Sequence, residues 1–302
     1  MNTTTTDSPA FPQQKNATPP LAWVLLFVLA LVWGSSFILI KRSLEGFPPV
    51  QVATGRIAFA FLFFLPYLIV KFREFPRRVA GSLLLSGLTG YLIPAFLFAT
   101  GGAHLSSSLA GALNSLSPLF TLLIGAWFFG NAIRSRQLFG VLLGVTGSVF
   151  LVFMSATGSF SLNEYALLLV GATVLYGLNI NVVSRRLSGL PALTSTAWMF
   201  GLVGPLALGG LLLTDFPQRA TQSASTTSLV ALILLGVLGS GLMTILFNRV
   251  IQLASGVFAS SVTYLMPMVA LAWGLLDHEA LYWPQLAGMG ICLIGVYLIN
   301  RK

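Results

Sequence analysis

Long apolar runs recur along the chain, divided by short connectors that carry glycine, proline or charge. A helix needs about 20 predominantly apolar residues to cross a bilayer. By that rule the pattern predicts ten spans, at roughly 21–41, 50–70, 79–100, 106–129, 137–154, 164–184, 192–213, 229–250, 256–276 and 284–300. The 214–228 link, rich in Ser and Thr, is the longest connector, and no segment between spans is large enough for a soluble domain. Residues 1–20, rich in Thr, Pro, Gln and Asn, lack apolar periodicity and read as a disordered tail. A cleaved signal peptide does not fit, because the tail has one base, Lys15, and the run after it is too long and has no clear small-residue cleavage site.

Composition narrows the class. Of 302 residues, 56% are hydrophobic and 8% charged, whereas a soluble domain carries about 25% charged residues. Soluble enzymes, nucleic-acid binders and disordered scaffolds are therefore excluded as readings of the whole chain, and the expected fold is an all-α integral membrane protein. The net charge of +9 reads as topology rather than nucleic-acid binding, because the bases lie in scattered pairs between apolar runs. With the N-terminus inside, the inner segments hold Lys15, Lys71, Arg73, Arg77, Arg78, Arg134, Arg136, Arg185, Arg186, Arg249, Arg301 and Lys302. The outer segments hold only Lys41, Arg42 and Arg219, and Arg56 lies within the second span. That bias places both termini in the cytoplasm. The single cysteine, Cys292, cannot form an internal disulfide.

The chain also repeats itself. An offset of 149 aligns Leu85 with Leu234, Gly87 with Gly236, Gly90 with Gly239, Phe98 with Phe247, Pro118 with Pro267 and Gly125 with Gly274. An offset of 148 continues it, with Gln137-Leu138 on Gln285-Leu286 and Gly147 on Gly295. Near the start an offset of 143 pairs Gly34 with Gly177, Arg42 with Arg185 and Pro48 with Pro191, and the longer 214–228 link absorbs the change. Each copy holds five spans, an odd number, so the second sits inverted in the membrane. Inverted repeats mark alternating-access transporters, in which two related halves exchange inward-open and outward-open states.

Trp33-Gly34-Ser35-Ser36-Phe37, Lys41, Pro48-Pro49 and Arg56, the stretch around Leu116-Ser117-Pro118 with its copy Tyr264-Leu265-Met266-Pro267, and the runs Gln137 to Gly147 and Gln285 to Tyr297 complete the pattern. In these, the chain resembles EamA-like members of the drug/metabolite transporter superfamily. The resemblance covers about 21–300 and implies a first five-helix repeat over 21–155 and an inverted second over 164–302. It also implies export of amino acids, related metabolites or drug-like solutes. One departure is Asn131, where that family usually has an acid after the fourth helix; the second half has Asp277-His278-Glu279 nearby.

Polar groups at membrane depth are candidates for function. Arg56 reads either as a counter-charge for an anionic or carboxylate substrate, or as a latch, or as a base that snorkels to the headgroups or pairs with Glu45. Asn114, Ser115 and Ser117 precede Pro118, and Thr263 and Tyr264 precede Pro267; a mid-helix proline frees a carbonyl, and both prolines are expected to break their helices. Trp33 and Tyr176 are repeat-equivalent mid-span aromatics, Asn179 lies near the Tyr176 face, and Asn181 is ill suited to lipid. Tyr91 and Pro94, with Phe247 and Asn248, are expected to complete a cavity wall. Gly140, Gly144 and Gly147, with Gly288 and Cys292, read as helix-packing positions between halves or subunits, so a homodimer is among the expectations. His104 reads as interfacial, and His278 between two acids offers poor metal geometry.

The leading expectation is thus a secondary transporter of a small-molecule substrate, embedded in a lipid bilayer, using no cofactor or metal and binding no nucleic acid. Six of the seven acids lie in tails or connectors and Glu164 sits at a span edge, so a proton antiporter working through a buried carboxylate lacks its titrating group. Facilitated diffusion, substrate exchange and a coupling route through other groups stay open. A membrane-embedded enzyme would need paired acids, a Ser/His pair or a metal set at depth, and no HExxH, GxSxG or Walker motif occurs. A sensor would carry a soluble output domain. The topology is testable in intact cells: in a Cys292→Ser background, cysteines at Lys15 and Arg301 are expected to escape an impermeant maleimide while one at Arg219 reacts. The opposite labelling overturns the orientation.

Overall fold

The structure, a computed structural model, describes residues 18–105, 107–153, 164–276 and 283–300. No strand occurs among them. In chain order the principal helices are α1 (Pro20–Leu44), α2 (Pro49–Val70), α3 (80–102), α4 (Ser107–Asn114), α5 (Ser117–Phe129), α6 (Ser135–Phe153), α7 (Glu164–Arg186), α8 (Ala192–Leu212), α9 (226–253), α10 (Gly256–Ser260), α11 (Val262–Leu276) and α12 (Trp283–Asn300). Prolines at the first turn start α1, α2 and α5, where the missing N–H costs nothing and the fixed φ suits a helix. Ser255 caps α10, accepting from the Phe258 N–H at 3.1 Å.

Six helical segments among the described residues are long and apolar enough to cross a membrane, and Ser117–Phe129, Gly256–Val269 and Leu286–Ile299 are shorter apolar helices. The chain is an all-α integral membrane protein. The fourth and ninth spans are each broken into two pieces, α4 with α5 and α10 with α11. The third and eighth carry π-helical turns, at Leu88–Leu92 and Leu235–Leu242. The 214–228 link holds the short helix Phe216–Ala220 and a 3-10 turn at Ser223–Ser225. Most of the expected disordered tail, and the Asp277-His278-Glu279 cluster, lie outside the described residues.

The halves interlock. α1 packs on α11 and α9 of the other half; correspondingly, α7 packs on α5 and α3. α2 lies on α8, and α6 on α12. The last contact is backbone on backbone. A Cβ added to Gly140 would lie 2.8 Å from the Gly295 carbonyl oxygen, and one on Gly295 would lie 2.7 Å from that of Gly140. Gly147 meets the Cys292 N–H and Gly288 in the same way. Small residues let helices close where lipid supplies no hydrophobic drive between them. These glycines therefore join one half of the chain to the other.

Polarity is arranged inside out. Trp127, Phe128 and Leu213 are largely exposed on the outer surface, while Ser36, Thr121, Asn179, Thr196 and Asn248 are buried. Asn181 donates to the carbonyls of Thr121 and Gly177, both at 2.8 Å, and accepts from Asn131 at 3.1 Å; Asn131 in turn accepts from Arg185. Asn181 thus fastens α7 to α5, and Asn131 serves as a neutral acceptor where an acid was the family expectation. At the opposite face Gln51 donates to Thr214 and Asp215, and Arg219 pairs with Asp215 at 2.6 Å. The hydrogen bonds from Arg219 and Gln51 hold the Asp215 carboxyl below the usual carboxylate range. This clasp is therefore complete above that range and is lost only as pH falls through the lowered value.

The α6–α12 seam makes a direct prediction. Gly140→Ala is expected to lower the melting temperature of the purified protein, at a cost of about 1–3 kcal/mol from overpacking. Gly290→Ala on the same α12, where an added Cβ meets nothing within 4 Å, is expected to leave it unchanged. Equal melting temperatures for the two variants would refute the close approach.

Candidate functional site

Between the halves lies a cavity of about 130 Å³. The regular helices α1, α2 and α7 line it together with the π-helical turns of α3 and α9 and the pieces of the two broken spans. Gly90 and Gly239, aligned by the repeat, sit in the two π-helical turns and both line it. Such turns are frequent at functional sites. The indole N–H of Trp33 donates to the Gly239 carbonyl at 2.8 Å. On the other side of the repeat, Gly90 lies so close to the Asn179 amide that a Cβ there would collide with it.

Two aromatic pairs line the cavity. Trp33 meets Phe247 with ring centres 5.1 Å apart, and Tyr176 stacks on Phe98 at 5.9 Å. The members correspond across the repeat: Trp33 with Tyr176, and Phe247 with Phe98. Offset or tilted ring contacts of this kind hold their geometry well. One fold element, used twice in opposite senses, therefore builds an aromatic frame around the space.

The polar groups break that symmetry. Arg56 projects from α2 into the cavity and donates from Nε to Ser240 Oγ at 3.0 Å, its one hydrogen bond among the described residues. Glu45 instead pairs with Arg42 at 2.9 Å, so Arg56 neither snorkels nor uses Glu45. A cation at the centre of a span costs about 2.5–3.5 kcal/mol, and facing a cavity is what makes the position tolerable. Tyr176 lies within electrostatic range of it. Asn114 lines the cavity and points Nδ2 at Met266 Sδ, 3.7 Å away. Ser117 Oγ donates to the Asn114 carbonyl at 2.7 Å, replacing the N–H that Pro118 lacks. The Tyr91 hydroxyl lies among Thr244, Asn179 and Asn248. Yet no donor among the described residues reaches Asn179 Oδ1 or Asn248 Oδ1 within hydrogen-bonding distance.

The sequence candidates thus divide. Trp33, Arg56, Tyr91, Asn114, Tyr176 and Asn179 converge on the cavity, joined by Phe247 and Thr263. Asn248 is buried behind the wall and donates to Thr196 at 2.9 Å. Tyr264 is fully buried, packs against Gly144 and donates to the Val141 carbonyl at 3.1 Å, which makes it part of the α6–α11 contact. Pro118 follows the break between α4 and α5, as expected. Pro267 lies inside α11, and the break in that span falls at Ser261, where two short helices meet. Helix breaks in the two copies are thus out of step with their prolines. His104 stacks on Tyr165 outside the site. Ser36, Phe98, Ser240 and Thr244 also line the cavity and were not anticipated. The repeat held the signal for three of them, since its offsets carry Asn179 onto Ser36, Tyr91 onto Ser240 and Phe247 onto Phe98.

The cavity leads into a vestibule of about 720 Å³, sharing Phe37, Ile40 and Phe98 with it. Lys41, Glu45, Phe47, Ala103 and Arg219 line this mouth, which opens on the face opposite the start of α1 and the end of α12. On the other face the helices meet: Gln252 Nε2 donates to the Leu190 carbonyl at 2.8 Å, and Trp23 packs edge-on against Phe258.

Among curated proteins, the chain is 28% identical to a probable amino-acid metabolite efflux pump of Salmonella typhimurium, over 91% of this chain and 93% of that one. It is 25% identical to an uncharacterized inner membrane transporter, YedA, of Escherichia coli K12, over 91% and 89%. A chloroplastic WAT1-related protein of Arabidopsis thaliana is 26% identical, over 93% of this chain and 69% of its own length. One solved crystal structure superposes with a TM-score of 0.71 at 18% identity, covering 92% of this chain and 95% of the other, which speaks to the fold alone. The EamA-like transporter family model matches twice, over residues 21–153 and 163–301. With a duplicated match over most of its length, the chain belongs to the EamA-like transporter family and is a membrane transporter.

Proposed function

We propose that the protein is an alternating-access exporter of amino acids, related small metabolites or drug-like solutes. It sits in the plasma (bacterial inner) membrane with both termini in the cytoplasm. One observation carries this reading: the cavity opens on one face, the helices meet on the other, and the two faces are related by the repeat. The offset of 143 carries Phe47 onto Leu190, and the offset of 149 carries Ala103 onto Gln252. Leu190 and Gln252 touch where the helices meet, whereas Phe47 and Ala103 line the open vestibule. When the halves exchange conformations, the second pair closes and the first parts. By the distribution of Lys and Arg, the conformation described is open to the outside. The names of the bacterial relatives, an inner membrane transporter and an efflux pump, agree with this assignment.

Two experiments test it. Reconstituted vesicles given a radiolabelled amino-acid and metabolite panel, with and without a pH gradient, are expected to move at least one solute. If no solute in a broad panel moves while a lipid or peptide is chemically altered, the protein is an enzyme. In a Cys292→Ser background, Phe47→Cys with Ala103→Cys is expected to cross-link during turnover and halt transport, with recovery on reduction. A pair that never links, or one that links without affecting flux, sinks the exchange of seams.

A further inference from the structure

We infer that the central cavity takes a small organic monoanion, a carboxylate on an apolar or aromatic body with one N–H or O–H donor, in preference to a zwitterionic amino acid. The inference rests on the transport reading for the identity of the site and narrows its substrate class.

Charge decides the matter. The Arg56 guanidinium keeps its proton in proteins and meets only the neutral Ser240 hydroxyl. No Asp or Glu among the described residues lines the cavity. The described acids stay away from it: Glu45, Glu74 and Asp215 are paired with Arg42, Lys71 and Arg219, and Glu164 is exposed at the start of α7. A bound zwitterion therefore leaves one net positive charge inside a low-dielectric space, whereas a monoanion leaves none. The aromatic faces of Trp33 and Tyr176 would welcome a lone cation, but Arg56 in the same cavity repels it. Lys41, on the vestibule wall with no ion-pair partner among the described residues, adds to a field that draws anions inward.

The second polar feature is Asn179. It is 3% exposed, lines the cavity, and its Oδ1 has no donor among the described residues. A buried acceptor left without a partner is costly, and a ligand with one N–H or O–H satisfies it. The remaining wall is aromatic and aliphatic, so the rest of the ligand is apolar, and a cavity of about 130 Å³ keeps it small.

Four probes of nearly one shape separate the terms. At pH 6.0, 3-phenyllactate is a monoanion with a donor, 3-phenylpropanoate a monoanion without one, phenylalanine a zwitterion and phenylalaninamide a cation. By calorimetric titration of the protein in nanodiscs, phenyllactate is expected to bind at least tenfold more tightly than phenylalanine, and the amide not at all. Arg56→Gln is expected to erase the preference for anions. Asn179→Ala is expected to erase only the advantage of phenyllactate over phenylpropanoate, with gel filtration confirming that both variants fold. Phenylalanine binding as well as phenyllactate, no probe binding, or a preference that survives Arg56→Gln each overturns the inference. Flux separates the two readings: phenylalanine carried without phenyllactate defeats this one alone, while the expected binding order with no flux of any solute defeats transport and leaves it standing.

Discussion

A bilayer offers no hydrogen-bond partner to a stray N–H or C=O, so backbone irregularity is confined to places the protein itself can satisfy. That constraint organises this molecule. The two π-helical turns border the central cavity, and α4, α5, α10 and α11, the pieces of the two broken spans, each reach its wall. The carbonyl of Gly239 goes to Trp33, and that of Asn114 to Ser117. The polar chemistry a transporter needs and the polar groups the fold must hide from lipid are therefore the same groups in the same place.

Duplication supplies the frame and divergence supplies the chemistry. The paired aromatic contacts, Trp33 with Phe247 and Tyr176 with Phe98, follow the repeat closely. The polar positions do not. Arg56 aligns with Met199, which is buried in the core, and Asn179 aligns with Ser36, whose hydroxyl turns back to its own helix at the Val32 carbonyl. A symmetric frame suits two-sided access, because each half can adopt the shape of the other. An asymmetric lining suits selectivity, because a single guanidinium needs only one counter-charge.

Much of this architecture is legible in the amino-acid sequence. Apolar run length marks spans because lipid thickness imposes it, and the ordered Gly and Pro matches reveal the repeat because helix approach and helix breaks depend on them. The repeat also points to Trp33 and Tyr176. Membrane depth is legible, but the angle around the helix is not: Tyr264 and Asn248 look as promising as Tyr91 in sequence, yet a rotation of part of a turn sends them into packing contacts. Pro267 misleads for a related reason. A proline removes one hydrogen bond, but neighbours decide whether the helix breaks there, and here the break falls at Ser261. The π-helical turns leave only a trace, the aligned glycines at 87 and 90 and at 236 and 239.

The glycine contact between α6 and α12 has a consequence for how such a molecule can move. Where backbone lies on backbone, a shift by one residue puts the side chain of Val141 or Val296 where Gly140 or Gly295 had been, and the gap is too narrow for either. The Tyr264 hydroxyl, bound to the Val141 carbonyl, pins the register again from α11. These two helices therefore form a spine whose register is held by backbone contact, and in the proposed exchange of conformations the movement falls to the helices around it.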